Sequence, residues 1–476
     1  MHKISMLSCV GDVFPNAFIR SNARGKNGDA RAPVPVDTCA RFHRARSNQR
    51  IQATHQGREG RVEKVLFLSG STRGDTLEGI GRSVGREFNA FGIECIEVSL
   101  RDQAHLIENL RQVNFYEVKL IYSWASMGAD LMLRQPDGSQ VDFWRELGIP
   151  FITFHGDSPA YFFDRHVVKD SKFITFYGFT EHCALRKRMP HLNGPVDTLW
   201  PTVLNEIPKD QLDFAKKKDG KLLFLKNGKD PAHLRKFWAS CLEPRPLRAM
   251  LDLADELEKD LDDPASNQID DVLTYYFQDQ GFDIERMFKL RLFFIAQLDD
   301  YLRAVKCTRM AEALMDLPVE IRGNNWSHLD FTGKKVTYID ECDYAKSIGL
   351  IRDSLGLIDV SPNTVSRPHD RVMRAFGAHS FCLTNEQQFL ECLPHRERLS
   401  FRFQKEDLQQ KVAYLLDHKA EALDMGVEVA EAYKLKHPRT EPIQKILEYA
   451  AFARLDNMRQ RPAGAQDFFV WPPAHS

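Results

Sequence analysis

Apolar residues along this chain come in short blocks separated by longer stretches of helical spacing. Val65-Leu-Phe-Leu68 is a compact run, Leu77, Ile80, Val84 and Phe88 follow at intervals of three and four, and Ile96, Val98 and Leu100 then alternate. The first and third patterns predict strands and the second a helix. Further strands are expected at 118–122, 151–154 and 173–177. Strands divided by helices predict a parallel sheet covered on both faces, with ligands at the carboxyl ends of its strands. Those ends are the segments 69–75, 123–128 and 155–158.

A second series of the same kind begins at Leu222-Leu-Phe-Leu225 and is interrupted by helical pattern over 231–316. Within that stretch Met287, Leu290, Leu292, Phe293, Ile295 and Leu298 are crowded enough for a buried helix. Strands resume at 319–323, 336–339, 357–360 and 381–384, and closing amphipathic helices are expected at 407–418 and 443–454. The expected organisation is α/β. A first Rossmann-like domain spans 62–205, a charged linker 206–220, and a second Rossmann-like domain 221–445 with the helical insertion; a closing helix and tail occupy 446–476.

Bulk properties narrow the function. A length of 476 residues suits two cores rather than one. The net charge of −1 gives no electrostatic argument for nucleic acid as a partner. No apolar run approaches the ~18 residues needed to cross a bilayer, so no transmembrane segment is expected and only peripheral membrane association stays open. The nine cysteines are scattered without a C-x-x-C pair, which points to a reducing, cytoplasmic setting. Residues 1–61 are basic and without periodicity, and are expected to be disordered, as a targeting segment or a mis-assigned start.

Four segments carry candidate chemistry. The loop Lys226-Asn227-Gly228, between a strand and a helix, offers N–H groups and a cation to a diphosphate. Gly323 permits close backbone approach and Trp326 can stack on a base, the alternative being a turn with a packing Trp. The stretch from Asp359 to Thr384 carries a polar loop with Asn363 and Thr364, then Ser366 as expected helix cap, Pro368 in the first turn, and His369, Asp370 and Arg371 at the positive helix end. In the first half, His155 and Asp157 at a strand end are candidate general bases, Asp157 reading equally as an Asx turn. No metal site is expected, and the acidic pairs at 262–263, 270–271 and 299–300 are expected to be solvated.

The succession of strand, polar loop, His-acid-Arg helix and strand ending in Thr between Asp359 and Thr384, with Tyr344 opening the preceding helix, resembles the donor-binding segment of sugar-nucleotide glycosyltransferases. Within these it is similar to the CgeB-like, spore-maturation-protein branch of the GT-B superfamily, with a family-1/4-like donor domain. The resemblance covers roughly residues 220–450 and implies two Rossmann-like domains facing across a cleft. It implies a nucleotide sugar as substrate rather than a cofactor, metal-independent transfer, and a hydroxyl acceptor on a glycan, lipid or protein. Arg73 and Asp75 would then face the acceptor. Arg374 stands where the family carries Glu, and would prefer phosphate or a carboxylated sugar; His379 stands where the family favours Gly. Sugar-nucleotide epimerisation on the same fold, or a non-catalytic nucleotide-sugar-binding or protein-interaction module, are the alternative readings.

Overall fold

The computed structural model describes residues 63–459 except 71–75, 102–105, 135–136, 167–169, 200–202, 263–267, 341–342 and 386. The basic segment 1–61 therefore lies outside the described residues.

The apolar blocks form two six-stranded sheets. The first holds β1 (Lys64–Ser69), β2 (Glu94–Ser99), β3 (Val118–Trp124), β6 (Phe151–His155), β7 (Phe173–Tyr177) and β8 (Val196–Thr198). A small antiparallel hairpin, β4 (Met132–Arg134) with β5 (Gln140–Asp142), sits beside it. The second sheet holds β9 (Leu222–Leu225), β10 (Glu320–Arg322), β11 (Thr337–Ile339), β12 (Gly356–Asp359), β13 (Phe381–Asn385) and β14 (Ser400–Phe401). All pairings within both large sheets are parallel. Buried on both faces, β9 reads as a continuous apolar run, and β12 and β13 do so up to their polar carboxyl ends.

Strand order locates the ligand crevices. The second sheet runs β11-β10-β9-β12-β13-β14, the Rossmann order, which reverses between β9 and β12. The first runs β2-β1-β3-β6-β7-β8 and reverses between β1 and β3. Outside a reversal, the connections leave in opposite directions and open a crevice at the carboxyl ends.

The insertion consists of helices Pro231–Cys241, Pro244–Glu258, Ile269–Asp279 and Phe288–Leu314. Asp230 caps the first by accepting from Ala232 N, with Pro231 suited to the opening turn. The last helix, of 27 residues, bridges two cores. Its first part packs Phe294, Leu298 and Leu302 within the insertion, while Cys307, Met310 and Leu314 enter the core of the second sheet.

Two expected boundaries are corrected. The charged stretch 206–220 contains a helix, Phe214–Asp219, and Lys217 within it is fully buried. Its ammonium donates to Arg352 O, Ala378 O and Ser380 Oγ, so this stretch is fastened to the second domain. The closing helix runs Thr440–Arg459, starting earlier than expected, and returns to the first domain. Ile443, Ile446, Ala450 and Ala453 complete the core around Val65, Tyr122 and Phe176. Tyr449 Oη and Lys445 Nζ both reach Asp197, at 2.7 Å each.

Candidate active site

At the reversal of the second sheet, β12 ends in Asp359, which is completely buried. Arg371 donates from Nε to Asp359 Oδ1 at 2.5 Å. Burial alone would raise this carboxyl's pKa; the Arg371 guanidinium and neighbouring His369 and Lys226 hold it below its ordinary value. Lys226, at the end of β9, reaches Val360 O at 3.4 Å. Burial and then the Arg371 charge hold its ammonium below the usual range, with Arg303 adding to this.

Arg303 comes from the long insertion helix, one turn after Asp299, to which its Nε lies 2.9 Å away. Its guanidinium lies over the Tyr161 ring, 5.6 Å from the centroid, and Tyr161 Oη donates to Asp299 Oδ2 at 2.6 Å. Asn363, in the left-handed region at φ 46°, donates to Asp299 O at 2.8 Å and Oδ1 at 3.0 Å. Asp299 is 5% exposed, so the expectation that it is solvated fails; Tyr161, Asn363 and Arg303 take up its acceptor capacity. Asp270 is likewise buried, held bidentately by Arg291 at 2.7 and 2.6 Å.

This corner holds an unusual set of polar atoms shut from solvent and without a partner: Arg371 Nη2, Arg303 Nη2, Thr364 Oγ1, Asn363 Oδ1 and Asp359 Oδ2. Each such group costs about 1–3 kcal/mol unless something satisfies it. Arg371, Arg303, Thr364 and Lys226 are donors of the kind that can seat an anion beside the N-terminus of helix Asp370–Gly377.

The cap itself differs from expectation. His369, not Ser366, occupies the N-cap position, and its Nδ1 lies 2.6 Å from Asp370 Oδ1. Burial, then the Arg371 charge, lower the His369 pKa, leaving the ring neutral near pH 7. Ser366 instead donates to Glu181 of the first domain, whose carboxylate also accepts from Val365 N at 2.8 Å and Ser366 N at 2.9 Å. Glu181 thus ties one wall of the cleft to the other.

Arg374 is turned inward rather than toward a donor. It is 7% exposed, donates to Ser347 Oγ at 2.6 Å, pairs with Asp370 at 3.0 Å and lies over the Tyr344 ring. His379 has φ 50°, a conformation that costs a side chain bearing Cβ and suits Gly.

The two loops at the ends of β9 and β10 are built against one another. Gly228 N donates to Asn324 O at 2.8 Å, Asn324 N to Asn227 Oδ1 at 3.0 Å, and Trp326 Nε1 to Lys226 O at 2.9 Å. Gly323 has φ 146°, and a Cβ there would stand 2.2 Å from Lys226 O. Its close approach is therefore to backbone. Trp326 is 1% exposed against Phe224, which favours the packing alternative over base stacking: a ring packed on all sides offers no face to a base.

Across the cleft, β6 ends in His155, with the exposed Asp157 just beyond. His155 is 2% exposed, its Nε2 lies 3.2 Å from Ser126 Oγ, and its ring centroid is 4.0 Å from that of His166. Burial, assisted by Arg165 and Arg186, lowers its pKa to about 3. The buried His155 ring already faces Ser126, whereas Asp157 is exposed at the cavity and its charge reaches Arg303. Arg73 and Asp75 lie outside the described residues.

Between the walls is a cavity of about 310 Å3. Asp157 and Tyr161 line it from the first domain, His369 and Asp370 from the second, and Ile443 and Ile446 from the closing helix. Among the described residues no group of three or more His, Cys, Asp or Glu is placed to hold a metal ion, and no helix is long and apolar enough to cross a membrane.

Sequence signals existed for part of what was missed. Asp299 and Arg303 are an i,i+4 acid–base pair on a helix whose other positions are largely apolar, a pattern that marks a paired rather than solvated acid. Nothing local announces Glu181 as the partner of Ser366.

Several solved structures resemble the chain. An alpha-glucosyltransferase in complex with UDP is 7% identical, with 82% of this chain and 99% of that one covered, at a TM-score of 0.48. T4 phage BGT in complex with its UDP-glucose substrate is 8% identical over 81% and 99% of the two chains, at 0.45. Anabaena Alr3699/HepE in complex with UDP-glucose is 10% identical over 82% and 99%, at 0.39. No curated protein matches the sequence. Residues 303–448, from Arg303 through the Asp359–Thr384 segment to the closing helix, match the family model described as glycosyl transferase-like.

Proposed function

We propose that this protein is a GT-B glycosyltransferase of the CgeB-like branch, acting in the cytoplasm without a metal ion. It moves a sugar from a nucleotide-sugar donor to a hydroxyl of a glycan, lipid or protein rather than of a nucleic acid. The observation that carries this reading is the set of buried, unpartnered polar atoms around Arg303, Arg371 and Thr364 at the reversal of the second sheet. The match of residues 303–448 to a glycosyl transferase-like family supports it.

The chemistry follows from the charges. The acceptor oxygen forms a bond to the anomeric carbon as the bond from that carbon to the diphosphate oxygen breaks. The electron pair leaves with the nucleoside diphosphate, whose growing negative charge falls against Arg303, Arg371, Lys226 and the helix N-terminus. Asp157 takes the acceptor's proton, which makes the displacement direct and inverts the anomeric centre. Buried Asp299, itself held by Tyr161 and Asn363, keeps Arg303 in place.

Thermal shift across UDP, GDP, ADP and CMP, with and without EDTA, tests the reading. A nucleotide at ~100 times its dissociation constant adds ~2.7 kcal/mol of stability. One of the panel is expected to raise the melting temperature in EDTA, and Arg303→Gln to cut that rise to about half or less. No response to any nucleotide overturns the proposal in favour of a non-catalytic module. Donor turnover with no acceptor, yielding an isomerised nucleotide sugar, overturns it in favour of an epimerase.

A further inference from the structure

We infer that the acceptor is an alcohol with a hydrocarbon body, a lipid-type acceptor whose chain occupies the cavity between the domains. This deepens the glycosyltransferase reading and rests on it for the transfer step, but the binding site stands on its own geometry.

The cavity that contains Asp157 is walled chiefly by hydrocarbon. Leu77, Ile80 and Val84 come from one face of helix Thr76–Ala90, Phe154 and Leu204 from the sheet and its exit, and Ile446 from the closing helix. Most of the polar groups on its wall are already engaged. His155 faces Ser126, Asp370 is paired with Arg374 and His369, and Glu87 lies 3.5 Å from Arg439. His155 and His369 are neutral near pH 7, both because burial disfavours their charge.

A saccharide placed here would lose water from several hydroxyls and regain few partners, at about 1–3 kcal/mol for each group left unsatisfied. A nucleobase or a peptide segment meets the same obstacle, since each carries donors and acceptors in fixed positions. An alkyl or isoprenoid chain carries none, and gains from every methylene it removes from water. A volume of about 310 Å3 is that of a small-molecule site rather than of a packing defect. Asp157 and the neighbouring anion seat supply the polar end at which a single terminal hydroxyl is required. One apolar body with one hydroxyl is therefore the ligand whose polarity matches the lining.

The test uses primary alkanols from 1-butanol to 1-decanol, with binding to the whole protein measured by ligand-observed NMR and no nucleotide present. Affinity is expected to rise about three- to fourfold per added methylene until the cavity is full, and then to level off. Leu77→Phe and Val84→Phe, at half-buried lining positions, reduce the free volume and are expected to bring the plateau to shorter chains. Affinity that does not grow with chain length overturns the inference, and so does a plateau unmoved in both variants. The nucleotide thermal shift, run on the same two variants, keeps the outcomes apart. A retained shift with flat alkanol binding defeats the lipid acceptor alone. A lost nucleotide response in the unaltered protein defeats the donor reading and leaves the cavity result to be judged by its own series.

Discussion

Asp359 has one charged partner in hydrogen-bond contact, Arg371, and no access to water. Removing the partner therefore does more than weaken a ligand. Arg371→Ala leaves a buried carboxylate uncompensated, and breaking such a pair from one side costs about 3–5 kcal/mol. The urea midpoint should fall accordingly, and Asp359→Asn added to the same chain should recover a large part of the loss; a double mutant no more stable than the single would refute the pairing. Arg303 is different, because Asp299 keeps Tyr161 and Asn363 when the guanidinium is gone. Arg303→Ala should lower nucleoside diphosphate affinity about 10- to 100-fold by calorimetry, in keeping with ~1.5–3 kcal/mol for a charge-assisted hydrogen bond, with a smaller stability change. Asp157→Asn should cut kcat by about 100-fold or more while leaving nucleotide affinity unchanged, as loss of a general base would. His369, Asp370 and Arg371 were legible in sequence because three neighbours on one helix turn need no fold to meet. Arg303 was not, because only the insertion's packing brings it to Arg371. Trp326 stayed open between stacking and packing for a related reason: a Trp after a strand looks alike in sequence whether its ring ends inside or outside.

The elements that hold the cleft closed are polar on one side and apolar on the other. On the polar side, Glu181 in the first turn of helix Thr180–Lys187 accepts the amides of Val365 and Ser366. Glu181→Ala should raise the hydrogen-exchange rates of those two amides and increase the donor's KM more than it lowers kcat, since the loop before the donor helix loses its anchor. Unchanged exchange at both amides would show that the contact does not restrain the loop. On the apolar side, Ile446 is fully buried in the first domain's core although it follows the second domain in sequence. Ile446→Ala should cost about 2–5 kcal/mol, read by chemical denaturation of the whole chain. The strands of both sheets were readable because runs such as Leu222-Leu-Phe-Leu225, buried on both faces, carry their own signature. The stretch 206–220 was not. Within Lys216-Lys-Lys218, the Lys217 ammonium alone meets Ala378 O and Ser380 Oγ, and a run of identical charges cannot say which one the fold will bury.

At the scale of the molecule, the buried histidines set how the protein responds to acid. His155, His182 and His379 are 2%, 5% and 5% exposed, and burial lowers their pKa values to about 3, 4 and 4. Unfolded, each would titrate near its ordinary value of ~6.5. Between those limits the unfolded chain binds more protons than the folded one, so acid favours unfolding: stability is complete above ~pH 6.5 and declines as pH falls toward 4. At ~1.4 kcal/mol per pH unit for each fully linked histidine, three of them approach ~4 kcal/mol per unit. Against a total stability of about 5–15 kcal/mol, a drop of one to two pH units then removes a large fraction. The urea midpoint should fall steeply between pH 6.5 and 5. His182→Phe should flatten that slope, because His182 Nδ1 has no partner to lose and the ring already packs edge-on to Phe179, 5.1 Å away. An acid limb in the activity profile over this range would then follow the folded fraction measured in parallel. Activity that declines while the protein stays folded would instead reveal a titrating group in the cleft other than His155, whose pKa of about 3 lies below this range.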